Sequence, residues 1–160
     1  MPSIDQVWEF LSEVEDPEIP VLNVVEMGIV RKAYYDDNNK LWVHITPTYS
    51  GCPAMTAIEM DVRAKLFEKG FKEFQVKTDF SEIWTTDWMT HEAQRKLKEY
   101  GIAPPKAMPT NAEELGDKVI PCPWCDSLET ALESEFGSTA CKALFYCHSC
   151  HQPFEHFKCI

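Results

Sequence analysis

The feature that most constrains this chain is a pair of C-x₂-C motifs near its C-terminal end. Cys122 and Cys125 form the first motif, and Cys147 and Cys150 form the second, with 21 residues between them. Two such knuckles present four thiolates, which together suit a tetrahedral site for Zn²⁺, and the spacing is that of four-cysteine zinc sites. The motifs therefore predict a metal-bound module of about 40 residues, whose folding energy comes largely from the metal because its apolar core is small.

The same cysteines also fit three other kinds of chemistry. The run Cys-Pro-Trp-Cys at 122–125 is similar to a thioredoxin-type redox motif, although such a motif does not need a second pair. Residues 147–151 match the C-x-x-C-H pattern of covalent haem attachment, which normally requires export, and the N-terminal residues show no export signal. An iron–sulfur cluster would use the same four thiolates as zinc, so the pattern leaves these two cofactors open.

Further residues of the ligand type lie around the knuckles. Cys141 and Cys159 could be packed thiols, a second metal site or an oxidisable pair, whereas His148, His151 and His156 could extend a site. We predict structural roles for all five and keep the two cysteines as candidates for extra metal binding or redox chemistry.

The seventh cysteine stands apart, in the run Thr-Tyr-Ser-Gly-Cys-Pro-Ala-Met at 48–55. Pro53 fits the first turn of a helix, and Gly51 allows a sharp turn just before it. Cys52 is thereby placed at or beside the helix N-cap, where free N–H groups and the positive end of the helix dipole favour a thiolate. The alternative is a buried structural cysteine. The flanking glycine and proline favour a reactive thiol that acts as a nucleophile or a soft metal ligand.

The rest of the chain predicts an α+β fold, with helices on one face of a short mixed sheet. A capping-box pattern begins the first helix, and Pro17 requires that this helix end by Asp16. Apolar periodicity adds the other elements. Helices are predicted over 54–69 and 90–100, and strands over 29–35, 41–46, 71–80 and, next to the knuckles, 118–120 and 143–146.

The proline distribution divides the chain into three parts. Residues 102–118 contain Pro104, Pro105 and Pro109 and few large apolar side chains, which is typical of a semi-rigid linker. We therefore predict an α/β domain over residues 1–101, the linker, and a zinc-ribbon-like module over residues 119–160.

The charge balance limits the partners. The formal net charge is −11, so the chain lacks the basic surface that binds nucleic acid, and an anionic membrane would repel it. No apolar run approaches the roughly 20 residues that span a bilayer, and the N-terminus lacks a secretory pattern. We expect protein partners and a reducing cytoplasm, in which the cysteines serve metal or thiol chemistry.

Several motifs resemble known families. The runs that resemble the small iron–sulfur-assembly domain of SufT-type proteins are Asp-Pro-Glu-Ile-Pro at 16–20, Thr-Pro-Thr-Tyr-Ser-Gly-Cys-Pro at 46–53 and Trp-Thr-Thr-Asp-Trp at 84–88. Residues 101–105 and the ribbon runs 136–144, 153–154 and 157–159 are similar to the PaaD family. That family accompanies the multicomponent phenylacetyl-CoA epoxidase of aerobic phenylacetate degradation. The resemblance covers nearly the whole chain.

This resemblance implies an accessory or maturation role, with the chain not itself a catalyst. Cys52 matches the family's reactive cysteine, so it is the expected transfer thiol for an iron–sulfur cluster, supported by Asp16, Glu18 and Thr46. The expected partners are the di-iron oxygenase subunits or the iron–sulfur flavoprotein reductase of the epoxidase, together with iron–sulfur assembly machinery. Two other functions stay open, namely a structural subunit of the oxygenase complex and a thiol–disulfide oxidoreductase that uses Cys122 and Cys125.

Overall fold

The chain forms two compact units in a computed structural model that describes residues 1–48, 51–105 and 119–158. The first unit comprises residues 1–84 and 88–90, and the second comprises residues 85–87 and 91–160. The elements in chain order are α1 (Ile4–Leu11), β1 (Val30–Tyr35), β2 (Leu41–Ile45), α2 (Ala54–Glu68), β3 (Phe74–Thr78), a 3₁₀ turn (Thr86–Trp88), α3 (His91–Tyr100), β4 (Ile102–Ala103), β5 (Thr130–Ser134), β6 (Lys142–Cys147) and β7 (Pro153–Phe157). The predicted α+β class is confirmed. None of these helices is long and apolar enough to cross a membrane.

The first unit is built on a mixed sheet with the strand order β1-β2-β3. β1 and β2 are antiparallel, whereas β2 and β3 are parallel and are joined by α2. Leu41, Val43 and Ile45 are buried on one face of β2 and alternate with the half-buried Trp42 and His44. Because α1 contacts β1 and α2 contacts both α1 and β3, the two helices cover the buried face.

The first helix begins at the predicted cap and ends before Asp16, as predicted. The Gln6 N–H donates to Ser3 Oγ at 3.2 Å, and the Ser3 N–H donates to Gln6 Oε1 at 2.9 Å, which completes the capping box. The helix ends at Leu11, within the predicted limit of Asp16, and the chain then turns back on itself. The Asp16 N–H donates to the Leu22 carbonyl at 2.8 Å, so the residues between α1 and Pro17 pair with the segment that follows.

A tryptophan segment after β3 closes the core of the first unit. Trp84 is 1% exposed, and its Nε1–H donates to the Met27 carbonyl at 2.9 Å. Trp88 packs so closely on Gly28 that a Cβ at that glycine would lie 2.7 Å from Trp88 Cβ. The Arg31 guanidinium lies 3.6 Å from the centroid of the Trp88 ring. This segment is therefore part of the packing of the domain.

The second unit is a four-stranded sheet with the order β4-β7-β6-β5. β5, β6 and β7 are antiparallel, and β4 runs parallel to β7. The predicted strand at 143–146 lies within β6. The predicted strand at 118–120 is wrong at its described residues, Val119 and Ile120, which belong to no strand. β5 and β7, which the sequence did not predict, complete the ribbon.

The predicted linker begins in structured chain. Ile102–Ala103 form β4, and α3 contacts this strand. Residues 106–118 lie outside the described residues. The division of the chain into domains at residues 101 and 118 stays a prediction.

Candidate metal centre

The two cysteine knuckles share one backbone pattern. The Cys122 carbonyl accepts a hydrogen bond from the Asp126 N–H at 2.9 Å, and the Cys147 carbonyl accepts one from the His151 N–H at 3.0 Å. In both knuckles the first cysteine donates its own N–H to the carbonyl five residues later, at 3.0 Å. Asp126 and His151 have φ values of 59° and 60°, a left-handed conformation that is costly for residues with a side chain. The second half of each motif thus repeats a tight turn that aims two thiols at one point.

The four thiols converge. Cys122 Sγ lies 3.7 Å from Cys150 Sγ, Cys125 Sγ lies 3.6 Å from Cys147 Sγ, and all four sulfurs lie within 4.8 Å of one another. A tetrahedron with Zn–S bonds of about 2.3 Å has edges of roughly 3.8 Å. The donor set and its spacing therefore fit a tetrahedral thiolate-bound metal. In the described part of the chain, no other three His, Cys, Asp or Glu residues form such a group.

Hydrogen bonding and burial shift the pKa values of the two thiols of the second knuckle in opposite directions. A hydrogen bond from the Cys150 backbone N–H is the largest of the effects that lower the pKa of the Cys147 thiol to about 7. Burial raises the pKa of the Cys150 thiol to about 12. A bound cation must displace the proton from Cys150, so metal binding at this site is coupled to proton release.

The first knuckle is packed against the end of α3. Trp124, between the two ligands of the motif, lies directly on Gly101, where an added Cβ would overlap the indole ring. Lys98 Nζ lies 2.6 Å from Asp126 Oδ1. Gly101 follows the last residue of α3. Its position next to a proline-containing segment did not indicate that the glycine also accepts an aromatic ring.

The other ligand-type residues of the ribbon lie outside the four-thiol group. His156 is 3% exposed, and its Nδ1 lies 3.1 Å from the Ala103 carbonyl oxygen, so this ring helps to hold β4 on β7. His148 and His151 pack around the Tyr146 ring.

Cys141 and Cys159 are the candidates for extra metal binding or redox chemistry. Cys141 is buried, with its Sγ 3.0 Å from Thr139 Oγ1. Cys159 lies outside the described residues. A role of either residue in metal binding or redox chemistry stays a prediction.

Cys52 lies in the turn from β2 to α2, as predicted. Gly51 has φ +80°, and no atom lies within 4 Å of the place its Cβ would occupy, so the glycine is needed for the backbone turn and not for space. Pro53 is the N-cap of α2 and supplies no side-chain cap. The Met55 N–H donates to the Cys52 carbonyl at 3.2 Å, and Cys52 itself is half-buried. The reactivity of this thiol stays a prediction.

The residues expected to support Cys52 have structural contacts. Asp16 is 6% exposed, and its Oδ1 accepts hydrogen bonds from the N–H groups of Glu18 and Ile19 at 2.8 and 2.9 Å. Thr46 is 3% exposed, and its N–H donates to the Ile29 carbonyl at 2.8 Å. These contacts explain the Asp-Pro-Glu turn locally. The support of Asp16, Glu18 and Thr46 for the Cys52 thiol stays a prediction.

Both halves of the chain are similar to known families. The family described as "Iron-sulfur cluster assembly protein" matches residues 4–71, and the family described as "PaaD zinc beta ribbon domain" matches residues 106–158. A structure of a domain of unknown function, DUF59, from Bacillus anthracis is 27% identical with a TM-score of 0.54, covering 58% of this chain and 89% of that one. The conserved hypothetical protein TM0487 from Thermotoga maritima is 29% identical with a TM-score of 0.51, covering 60% and 94%.

Two relatives in sequence extend the comparison. A Porphyromonas gingivalis protein named Fe-S protein maturation auxiliary factor is 34% identical over 94 residues, which are 58% of this chain and 89% of that protein. A protein of Escherichia coli (strain K12), named as one of the subunits of 1,2-phenylacetyl-CoA epoxidase, is 45% identical over 160 residues, which are 99% of this chain and 94% of that protein. By this similarity along both units, the chain belongs to the PaaD family, which joins an iron–sulfur-assembly domain to a cysteine ribbon.

Proposed function

We propose that this chain is a maturation factor that delivers an iron–sulfur cluster or iron to the phenylacetyl-CoA epoxidase. The observation that carries the proposal is the position of Cys52, in a glycine-proline turn at the start of α2, within the region that matches the iron–sulfur cluster assembly family. The similarity to a protein named as part of the epoxidase supports the choice of client. The client is either the di-iron oxygenase or the iron–sulfur flavoprotein reductase, and the chain is accessory to the reaction that they catalyse.

The transfer is a ligand exchange. A cysteine thiol or another protonated ligand of the client replaces the Cys52 thiolate on iron, so one Fe–S(Cys52) bond breaks and one iron–client bond forms. The released Cys52 sulfur takes up the proton that the client ligand loses, and the oxidation state of iron does not change. The half-buried position of Cys52 suits this exchange, because the sulfur is shielded from bulk water yet reachable by a partner.

The four ribbon thiols have a separate role in this proposal. Cys122, Cys125, Cys147 and Cys150 would hold Zn²⁺, which supplies a fixed tetrahedral link between the two knuckles and no redox chemistry. Metal analysis with a UV–visible spectrum of anaerobically purified protein tests this assignment. Colourless protein with one zinc per chain is expected, whereas a brown protein that contains iron and sulfide at this site would replace zinc by a cluster.

The transfer role is tested by replacing the chromosomal gene with a Cys52→Ser allele. We expect epoxidase activity in cells to fall about tenfold or more, with iron missing from the oxygenase or the reductase and the level of the variant unchanged. A Ser12→Ala allele, which alters an exposed side chain directly after α1 and not in the Cys52 turn, serves as the matched control. Full activity and normal iron loading in the Cys52→Ser strain would show that the thiol transfers nothing.

A structural component of the oxygenase complex is the second candidate, and the name of the Escherichia coli relative favours it. It predicts that the chain co-purifies with the catalytic subunits in a fixed ratio. It also predicts that Cys52→Ser leaves activity unchanged while deletion of the whole gene removes it. Comparing these two strains therefore separates the candidates.

A further inference from the structure

Helix α2 carries apolar residues on two opposite faces. Ile58, Val62 and Leu66 point into the core and are at most 1% exposed. Met60 and Phe67, two turns apart on the other side, are 64% and 76% exposed. Ala64, also exposed, lies between them on the same side, and we call these three residues the outer stripe. A helix that packs one face on a core usually carries polar residues on the opposite face. The outer stripe is instead apolar surface that does not contribute to the core of the first unit.

An acidic cleft runs along the outer stripe. It has a volume of about 400 Å³, and residues of α2 and of the turn after α1 line it. Its acidic lining residues are Glu13, Glu15, Asp16, Asp61 and Glu68. Ala64 belongs to both the stripe and the cleft, so the apolar and acidic surfaces are continuous.

The charges of the cleft are not balanced. Lys65 Nζ lies 3.2 Å from Glu13 and 3.1 Å from Glu68, and it is the one cation among the lining residues. Lys69, which is not a lining residue, lies 2.9 Å from Glu13 and lowers the pKa of that carboxyl group, so Glu13 stays ionised.

Two further carboxylates have no cation. Glu15 and Asp61 are exposed and form no ion pair with any residue in the described ranges 1–48, 51–105 and 119–158. The cleft therefore offers negative charge that a cationic partner can use. Its continuity with the outer stripe means that the same partner must also present apolar side chains.

We propose that the outer stripe and the acidic cleft together bind a basic amphipathic helix of a partner protein. The apolar side chains of that helix would cover Met60 and Phe67, and its Lys or Arg side chains would enter the cleft beside Glu15 and Asp61. Charge decides between this occupant and the alternatives, because a second copy of a chain with net charge −11 and an anionic membrane would both bring negative charge to the cleft. The inference concerns binding alone and stands whether or not Cys52 transfers iron.

The position of this surface has a consequence for the chain's own chemistry. Met60 lies six residues after Ala54, the first residue of α2, and a helix rises about 1.5 Å per residue, so roughly 9 Å along the helix separates Met60 from the end that follows the Cys52 turn. A helix bound on the outer stripe would hold its own protein close to the Cys52 turn.

A synthetic peptide tests the proposal with the full chain. The probe is a fluorescent helix of about 18 residues, with Leu at helical spacing and Lys on both flanks of the apolar face. We expect Phe67→Ser and Asp61→Asn each to weaken its binding at least fivefold, and the double variant to weaken it further. Binding of the wild-type chain should also fall as salt is raised, because part of the attraction is electrostatic.

The controls distinguish specific binding at this surface from non-specific binding of the peptide. Phe80→Ser changes a side chain that is 69% exposed outside α2, and it should leave the affinity unchanged. A peptide with Glu in place of every Lys should not bind. Equal binding of both peptides, or no effect of Phe67→Ser and Asp61→Asn, would overturn the proposal. So would a wild-type dimer in sedimentation that Phe67→Ser converts to monomer, because the occupant would then be a second copy.

Discussion

Asp79 connects the end of β3 to the loop that follows and makes the stability of the first unit depend on pH. Its Oδ1 accepts the Ser81 N–H at 2.9 Å, and its Oδ2 lies 3.4 Å from His44 Nδ1. Hydrogen bonds from the Ser81 hydroxyl and N–H, with a smaller effect of His44, lower the pKa of Asp79 from 3.8 to about 2. Because the folded pKa is below the unfolded value, the carboxylate stabilises the fold above pH about 4, and this contribution is lost as pH falls toward 2.

We therefore expect Asp79→Asn to flatten the loss of stability between pH 4 and pH 2, when urea midpoints are measured by circular dichroism. Asp37→Asn, in the exposed turn between β1 and β2, is the matched control and should keep the slope of the wild-type chain. If Asp79→Asn leaves that slope unchanged, the hydrogen bonds from Ser81 do not select the ionised carboxylate.

Two glycines with the same φ angle distinguish the energetic cost of a strained backbone from the cost of a packing overlap. Gly70 and Gly101 both have φ +90°, but an added Cβ meets no atom within 4 Å at Gly70 and overlaps the Trp124 ring at Gly101. Gly70→Ala should cost about 1–2 kcal/mol from the left-handed backbone alone. Gly101→Ala should cost about 1–3 kcal/mol more, because the ring between two metal ligands must shift.

Unfolding by denaturant, followed for each unit through amide exchange, measures both costs. In a Trp124→Ala background the extra cost at Gly101 should largely disappear, since the overlap is removed. Equal costs of the two glycine substitutions in the wild-type background would contradict the packing role of Trp124.

The residue patterns predicted the grouping of the four ribbon thiols but not the contacts that surround them. The C-x₂-C spacing was sufficient to place four thiols within 4.8 Å, because two short knuckles leave few other arrangements. The pair Lys98 and Asp126, which are 28 residues apart, could not be read from the sequence. Such contacts depend on how α3 and the ribbon pack, and neither residue has a local pattern that indicates its partner.

At the scale of elements, α2 offers a direct comparison between its inner and outer faces. Leu66 is fully buried and Phe67, the next residue, is 76% exposed. Leu66→Ala should cost about 2–5 kcal/mol, because it leaves a cavity in the core. Phe67→Ala should change the free energy of unfolding by about 0.5 kcal/mol or less.

Urea denaturation of the first unit measures both substitutions in α2. A loss of more than about 1 kcal/mol for Phe67→Ala would mean that the fold itself uses the outer stripe, since surface substitutions usually have smaller effects. The result thus also decides whether variants in this stripe can be used to test partner binding.

Helices and strands with their own sequence signals were predicted well. In the ribbon, β5 and β7 were not predicted. The capping box placed the start of α1, and alternation placed β1 and β2. β5 and β7 are five residues each and carry weak alternation, so their pairing with β6 depends on the fixed knuckles at the ends of the ribbon.

At the scale of the whole molecule, the two units obtain their stability differently. The first has a layer of two helices on a sheet, with most of the buried apolar residues of the described chain. The second contains a small buried cluster in the ribbon, whose members are Ala103, Ile120, Cys122, Ala143, Phe145, Cys147 and Phe154. Two of these seven are candidate metal ligands, so the core and the metal site of the ribbon are one structure.

Removal of the metal should therefore unfold the ribbon and leave the first unit folded. Structural zinc contributes about 10–16 kcal/mol in small zinc domains, which is as large as the whole net stability of a typical domain, roughly 5–15 kcal/mol. After chelation, amide exchange should become fast along β5, β6 and β7 and stay slow in β2 and α2. Added Zn²⁺ should restore the protection, whereas the Cys122→Ser variant should stay unprotected at the same Zn²⁺ concentration. A ribbon that stays protected without metal would show that Phe145 and Phe154, which stack at 5.7 Å, form a sufficient core.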